Sequence, residues 1–256
     1  VQNRSDWENL KQERFRLDQV DERFPENWSE AIIQYRNRDF PFGQLMDGFF
    51  SMPRELLGVT NQLMMYYDDP DLMKDITSHL TELWLAMLEL VVAAIDLDYL
   101  SIWEDMCFKN GPLISPRMFE EFCTPHYRRI TGFLRARGVD VIWVDTDGDL
   151  RLLIPKFIEA GVAGSWPMEA QAGMDVVKVR KHYPRFLLMG GVNKLELAKG
   201  KAAIDAELET KLPYVLSSGG YIPTCDHMVP PDVSWEDFCY YRERVRDLVH
   251  EHRLPA

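Results

Sequence analysis

The sequence predicts an α/β protein folded as a (β/α)8 TIM barrel, with about six of the eight strands in this chain. Three observations point there. Short apolar runs alternate with amphipathic segments and no hairpin signal separates them, the order that builds a parallel sheet. The run Val139–Val144 is apolar at nearly every position, as a strand covered on both faces must be. Successive runs end in acids: Glu104-Asp105, then Asp145-Thr146-Asp147-Gly148-Asp149, then Pro167-Met168-Glu169. A doubly wound open sheet fits less well, because no G-x-G-x-x-G and no P-loop follows the first strand.

The elements follow in order. Residues 1–38 are polar with isolated Trp7, Phe15, Phe24 and Trp28, and read as short helices wrapping a barrel domain over 39–256. A first strand is expected near Phe40–Leu45, then a helix over Arg54–Tyr67. Asp69-Pro70 opens a long helix over Asp71–Ile95, whose Leu72, Ile76, Leu80, Leu83, Met87 and Val91 recur every three or four residues and form one buried stripe. Tyr99–Trp103 is the second strand. Ser115-Pro116 is a cap with Pro at the first helical position, starting a helix to Arg137. Val139–Val144 is the third strand, Val162–Trp166 the fourth, Phe186–Met189 the fifth, and Tyr221-Ile222 lies in the sixth. Helices are expected after Asp149, over Met174–Tyr183, near Leu195–Leu197, over Ala202–Leu216 and over Trp235–His250. Ser234 and Asp237 have capping-box spacing before the last of these. Six units are two short of eight. The missing pair is expected upstream, since Val1-Gln2-Asn3-Arg4 reads like the middle of a chain.

Composition bounds the function. The net charge is -12 over 256 residues, with Lys and Arg scattered among acids, which argues against a nucleic-acid partner. No apolar run is read as a membrane span and no signal peptide is apparent. The four cysteines form no C-x-x-C pair, so a reduced, cytoplasmic setting is expected.

In a barrel the strand ends converge on one mouth, and chemistry is expected there. Asp145 and Asp147, two apart, point to one face. Glu169 ends the next strand, and Cys225, Asp226 and His227 follow the last. Grouped carboxylates hold a cation or raise one another's pKa. Other readings stand beside these. Asp149 suits a helix cap, Asp226 suits a turn ahead of Pro230-Pro231, and Cys225 suits a small buried hydrophobe. His227 has no packing duty in such a loop and is the stronger pocket residue. Trp103, Trp143 and Trp166 at strand ends either pack the barrel or line an apolar pocket. Cys107, Cys123 and Cys239 are expected in the core, and His126 and His182 in solvent.

Five segments carry a family resemblance: EDMCFKNGPLISPRMFEEF (104–122), VDVIWVDTDGDLRLLIPKFIEAGV (139–162), WPMEAQAGMDVVKVRKHYP (166–184), LMGGVNKLELAKG (188–200) and GGYIPTCDHMVPPDVSWEDF (219–238). They resemble the uroporphyrinogen decarboxylase (URO-D) superfamily, in particular its methyltransferase-like branch. The resemblance implies the barrel, a pocket at the carboxyl ends of the strands, and the absence of the first quarter to third of a typical member. True decarboxylases of this superfamily use an N-terminal Arg-rich segment and an early Asp, which this chain lacks. Its corrinoid-dependent methyltransferases bind zinc through His-x-Cys, in some a Glu, and a late Cys. Those positions read Asp145-Thr146-Asp147, Glu169 and Cys225 or His227 here. Carboxylates in place of imidazole and thiolate bind zinc less well and favour harder ions, so the site holds a divalent metal, zinc or a harder ion, or else uses its acids without metal for proton transfer or for binding a cationic substrate group.

The resulting expectation is a methyltransferase moving a methyl group between a small-molecule substrate and a corrinoid protein. Asp145, Asp147, Glu169 and His227 are its catalytic residues and, with Cys225, its candidate metal ligands. Glu104, Trp103, Trp143, Trp166 and Asp226 are its substrate-binding residues. A decarboxylase of a tetrapyrrole or small acid is the alternative, and a non-catalytic ligand-binding barrel the second. Open barrel edges would favour a homo-oligomer.

Overall fold

The computed structural model describes residues 1–252; residues 253–256 of the segment assigned to the barrel lie outside the described residues. Along the chain the elements are α1 (Arg4–Arg14), α2 (Trp28–Arg36), β1 (Gly43–Asp47), α3 (Ser51–Leu57), α4 (Val59–Asp68), α5 (Pro70–Ala94), β2 (Tyr99–Trp103), β3 (Cys107–Phe108), β4 (Gly111–Pro112), α6 (Pro116–Phe122), α7 (Thr124–Arg135), β5 (Val141–Asp145), α8 (Ile154–Glu159), β6 (Gly164–Trp166), α9 (Val176–His182), β7 (Leu187–Met189), α10 (Lys194–Leu197), α11 (Lys201–Ser217), β8 (Tyr221–Ile222) and α12 (Trp235–His252). Six strands form a sheet in the order β1-β2-β5-β6-β7-β8, so each lies beside the next in sequence. The registered pairs β1/β2, β6/β7 and β7/β8 are parallel. Sequential parallel order is that of a barrel wall, not of a doubly wound sheet, whose order reverses. The fold is α/β, a partial TIM barrel.

Three expectations need amendment. Arg54–Tyr67 is two helices, because Gly58 takes a φ of +76° that no helix contains. The helix expected from Ser115 to Arg137 is also two, α6 and α7. Thr124-Pro125 restarts the ladder, since Pro125 has no N–H to give the preceding turn. Cys107–Phe108 and Gly111–Pro112 pair antiparallel around Lys109-Asn110, a short hairpin where none was anticipated.

The chain divides into two compact units. Unit 1 comprises residues 1–106, 113–144 and 153–163; unit 2 comprises 107–112, 145–152 and 164–256. In unit 1, α5 is the central helix. Asp69 accepts the Leu72 N–H at 2.9 Å and Pro70 follows it, which fixes the start of α5. Its stripe of Leu72, Ile76, Leu80 and Leu83 is wholly buried. By length and composition alone α5 could cross a membrane, contrary to the sequence reading; here its apolar stripe serves the core of unit 1. Trp7 clips α1 onto it with an indole N–H to Asp75 at 2.8 Å.

In unit 2, Val192, Leu197, Ile204, Leu208, Leu212, Tyr241, Val245 and Leu248 form one cluster from the loop after β7 and from α10, α11 and α12. Each large apolar side chain buried there contributes roughly 1.5–3 kcal/mol. Ser234 Oγ accepts the Asp237 N–H at 3.0 Å and donates to the Asp237 carboxylate at 2.7 Å, starting α12.

Candidate functional site

Unit 2 supplies the loops that follow β5, β6, β7 and β8. Their side chains are held by loop-to-loop hydrogen bonds more than by packing. The loop Asp145–Asp149 turns at Gly148, with φ +81°, where a Cβ would stand 2.7 Å from the carbonyl carbon of Cys107 and from the Phe108 oxygen. Only glycine fits that approach to the hairpin. The turn places Asp147 with its carboxylate 3.4 Å from Nε2 of His227, each side chain 37% exposed. Thr146, between the two acids, is fully buried, and Asp145 and Asp147 on either side of it are partly exposed.

Glu169 reaches back to the same loop. Its Oε2 accepts the Gly148 N–H at 2.9 Å. Glu169 therefore fixes the backbone next to Asp147. Trp166, which ends β6, is partly exposed; its carbonyl accepts the Thr146 N–H at 3.0 Å.

The TCDH loop divides its three candidates. Cys225 packs against the apolar cluster of α10–α12, and burial pushes its thiol up, away from the thiolate a metal or nucleophilic role needs. Asp226 is fully buried at the start of the bend 226–228 that precedes Pro230-Pro231. Its two oxygens accept the Ala170 and Lys194 N–H groups, each at 2.9 Å. His227 is the most accessible of the three and lies beside Asp147; Cys225 is half-buried.

Three predicted residues lie in unit 1. Glu104 was expected on a pocket wall, and the structure places it elsewhere: it is fully buried and accepts the N–H groups of Phe49, Phe50 and Ser51 at 2.8–2.9 Å and the Tyr127 hydroxyl at 2.5 Å. Burial raises its pKa against the pull of those four donors. Trp103 carries the Arg54 guanidinium 5.1 Å from its ring centroid, and Trp143 is 8% exposed.

Other expectations change as well. Asp149 does not cap a helix, which begins only at Ile154. It accepts the Arg151 N–H at 3.1 Å and pairs with the Arg151 side chain, which holds its carboxyl below the usual range. His126 is not solvated: it is 8% exposed with Nδ1 2.8 Å from the Thr81 hydroxyl, and burial lowers its pKa to about 4.

Sequence reasoning missed one buttress. Lys211 Nζ donates to the Gly191 carbonyl at 2.8 Å and pairs with Glu207, whose Oε1 accepts the Asn193 N–H at 2.7 Å. Together they brace the loop after β7. The signal was the Glu-to-Lys spacing of four along α11.

Asp145, Asp147, Glu169, His227 and Cys225 were the candidate metal ligands, beside a reading with no metal. Among the described residues no three Asp, Glu, His or Cys side chains form a set that could hold a metal ion. The donors fall in different places: Cys225 against the core, Glu169 on a backbone amide, His227 beside Asp147. What the site offers is an imidazole and a carboxylate able to hold or pass one proton at Nε2 of His227.

Comparison with known proteins bears on the family and the fold. A family model described as Uroporphyrinogen decarboxylase (URO-D) matches residues 30–248, more than half of the chain. Among solved structures, a methyltransferase from Methanosarcina mazei is similar with a TM-score of 0.59 at 20% sequence identity. The match covers 84% of this chain and 63% of that one, so the chain spans less than two thirds of that protein's length. The curated proteins contain no match.

Proposed function

The chain belongs to the uroporphyrinogen decarboxylase (URO-D) family, and from that premise we propose that it works as a methyltransferase, moving a methyl group between a small substrate and a corrinoid carried by a partner protein. The observation that carries the reading is the 3.4 Å pairing of His227 with Asp147 on loops at the carboxyl ends of parallel strands. When a methyl group leaves oxygen or nitrogen, the leaving atom needs a proton. His227 Nε2 is the group that would give it, and Asp147 would steady the charged imidazole. The balance is R–X–CH3 plus a nucleophile and a proton, giving R–XH and the methylated nucleophile. A corrinoid supplies that nucleophile. The protein's share is orientation and the proton, with Glu169 holding Asp147 in place through Gly148. The fold likeness to a methyltransferase supports the reading at the level of architecture.

The test uses the free cofactor. Purified protein is mixed with cob(I)alamin and methanol, methoxybenzene or methylamine, and separately with methylcob(III)alamin and thiols, and the corrinoid spectrum is followed. A protein-dependent change that is lost in His227→Ala supports the reading. No change with any donor or acceptor overturns it, and carbon dioxide released from uroporphyrinogen would put a decarboxylase in its place.

A further inference from the structure

We infer that Asp226 is the positioning residue of the candidate site, closing a ring of contacts through three loops that sets His227 against Asp147. The ring can be followed bond by bond. Asp226 Oδ2 accepts the Ala170 N–H at 2.9 Å. Ala170 is bonded to Glu169, whose carboxylate accepts the Gly148 N–H at 2.9 Å. Gly148 is bonded to Asp147, which lies 3.4 Å from His227. His227 is bonded to Asp226. Three covalent steps and three polar contacts thus return to the starting residue, all within unit 2.

A second arm anchors the ring. Asp226 Oδ1 accepts the Lys194 N–H at 2.9 Å, the first residue of α10, and its own N–H donates to the Val192 carbonyl at 2.8 Å. Ala170 likewise opens a short 3-10 turn, Ala170–Ala172. Asp226 therefore joins two helical starts, where unpaired N–H groups favour a negative charge. That is why a carboxylate sits at a position with no solvent exposure. A group so enclosed makes no contact with substrate. Its influence runs through the spacing of the pair beside it, and small displacements of a reacting pair are costly in rate.

The inference rests on the reading that His227 and Asp147 do the chemistry, and its test has one arm that does not. In the first arm, amide hydrogen exchange at Gly148 is measured in wild type, Asp226→Ala, Glu169→Gln and the double variant. Glu169→Gln weakens the Gly148 bond directly, and Asp226→Ala acts on it at one remove. Both are expected to speed Gly148 exchange about tenfold, the factor for one hydrogen bond to a charged group, and the double variant adds little. Should Asp226→Ala fail to fold, Asp226→Asn keeps the volume and one acceptor and is expected to give a smaller rise in the same direction. Gly148 exchange unchanged in a folded Asp226 variant overturns the ring. In the second arm, the corrinoid assay is run on Asp226→Ala and Asp226→Asn. A fall in kcat of about 10- to 100-fold with KM nearly constant, absent on an Asp147→Asn background, is the expected result. A rise in KM alone, or full additivity with Asp147→Asn, overturns positioning. Wild-type protein inactive in this assay would count against the methyltransferase reading, and the exchange arm would still decide the ring.

Discussion

Gly48 lies so close to Glu104 that any Cβ at position 48 would overlap its carboxylate. The turn over residues 48–51 is shaped around that buried acid, which takes the successive amides of Phe49, Phe50 and Ser51. Gly48→Ala and Glu104→Gln should each destabilise the protein by about 2–4 kcal/mol, because one displaces and the other neutralises an acceptor serving four buried donors. Urea unfolding reads this directly; a variant within 0.5 kcal/mol, roughly the scatter of surface substitutions, would refute the role.

His126 sets a pH dependence. Burial lowers its pKa from the usual 6.5 to about 4. The unfolded chain therefore takes up a proton that the folded one refuses. The contribution is complete above about pH 6.5 and is lost progressively as pH falls toward 4, to a total of roughly 3 kcal/mol. Comparing the acid limb of stability in wild type and His126→Gln checks this: the variant should lack that part of the decline.

His227 and Asp147 carry the proposed proton step. His227→Ala and Asp147→Asn should lower kcat by about 10²- to 10⁴-fold. Both side chains are more than a third exposed, so the melting temperature should barely move. Equal loss of stability and activity would mean the pair is structural.

Cys225 separates two chemistries. Packed against the α10–α12 cluster, it acts as an apolar side chain. Cys225→Ala should keep activity within about threefold while losing about 1–2 kcal/mol of stability. Loss of activity without loss of stability would restore the thiol to the mechanism.

The strand ends were legible in the sequence because a buried parallel strand leaves an uninterrupted apolar run, as in Val141–Val144. The helix breaks were harder. Thr124-Pro125 and Gly58 stand in plain view, yet the apolar stripe continues across each of them and hides the stop. Site residues divided by the same logic. Residue type marked Asp147, Glu169, Asp226 and His227 as polar groups at strand ends, but type cannot say whether an acid faces a ligand or a backbone amide. Glu104 and Asp226 look like Asp147 in sequence; the difference is made by amides that come from residues 20 to 60 positions away, such as Phe49 for Glu104 and Ala170 for Asp226. His126 was misjudged because its helix is amphipathic and one register step decides between solvent and Thr81.

Backbone amides donate every hydrogen bond in the ring through Asp226 and in its anchoring arm, at Gly148 and Ala170 in the first and at Lys194 and Asp226 itself in the second. An amide is indifferent to the side chain it carries. Substitutions at Ala170 and Lys194 should therefore leave these bonds in place, whereas changes at Glu169, Asp226 or the crowded Gly148 should loosen them. Such a frame separates the residues that hold the His–Asp spacing from those that line the site around it.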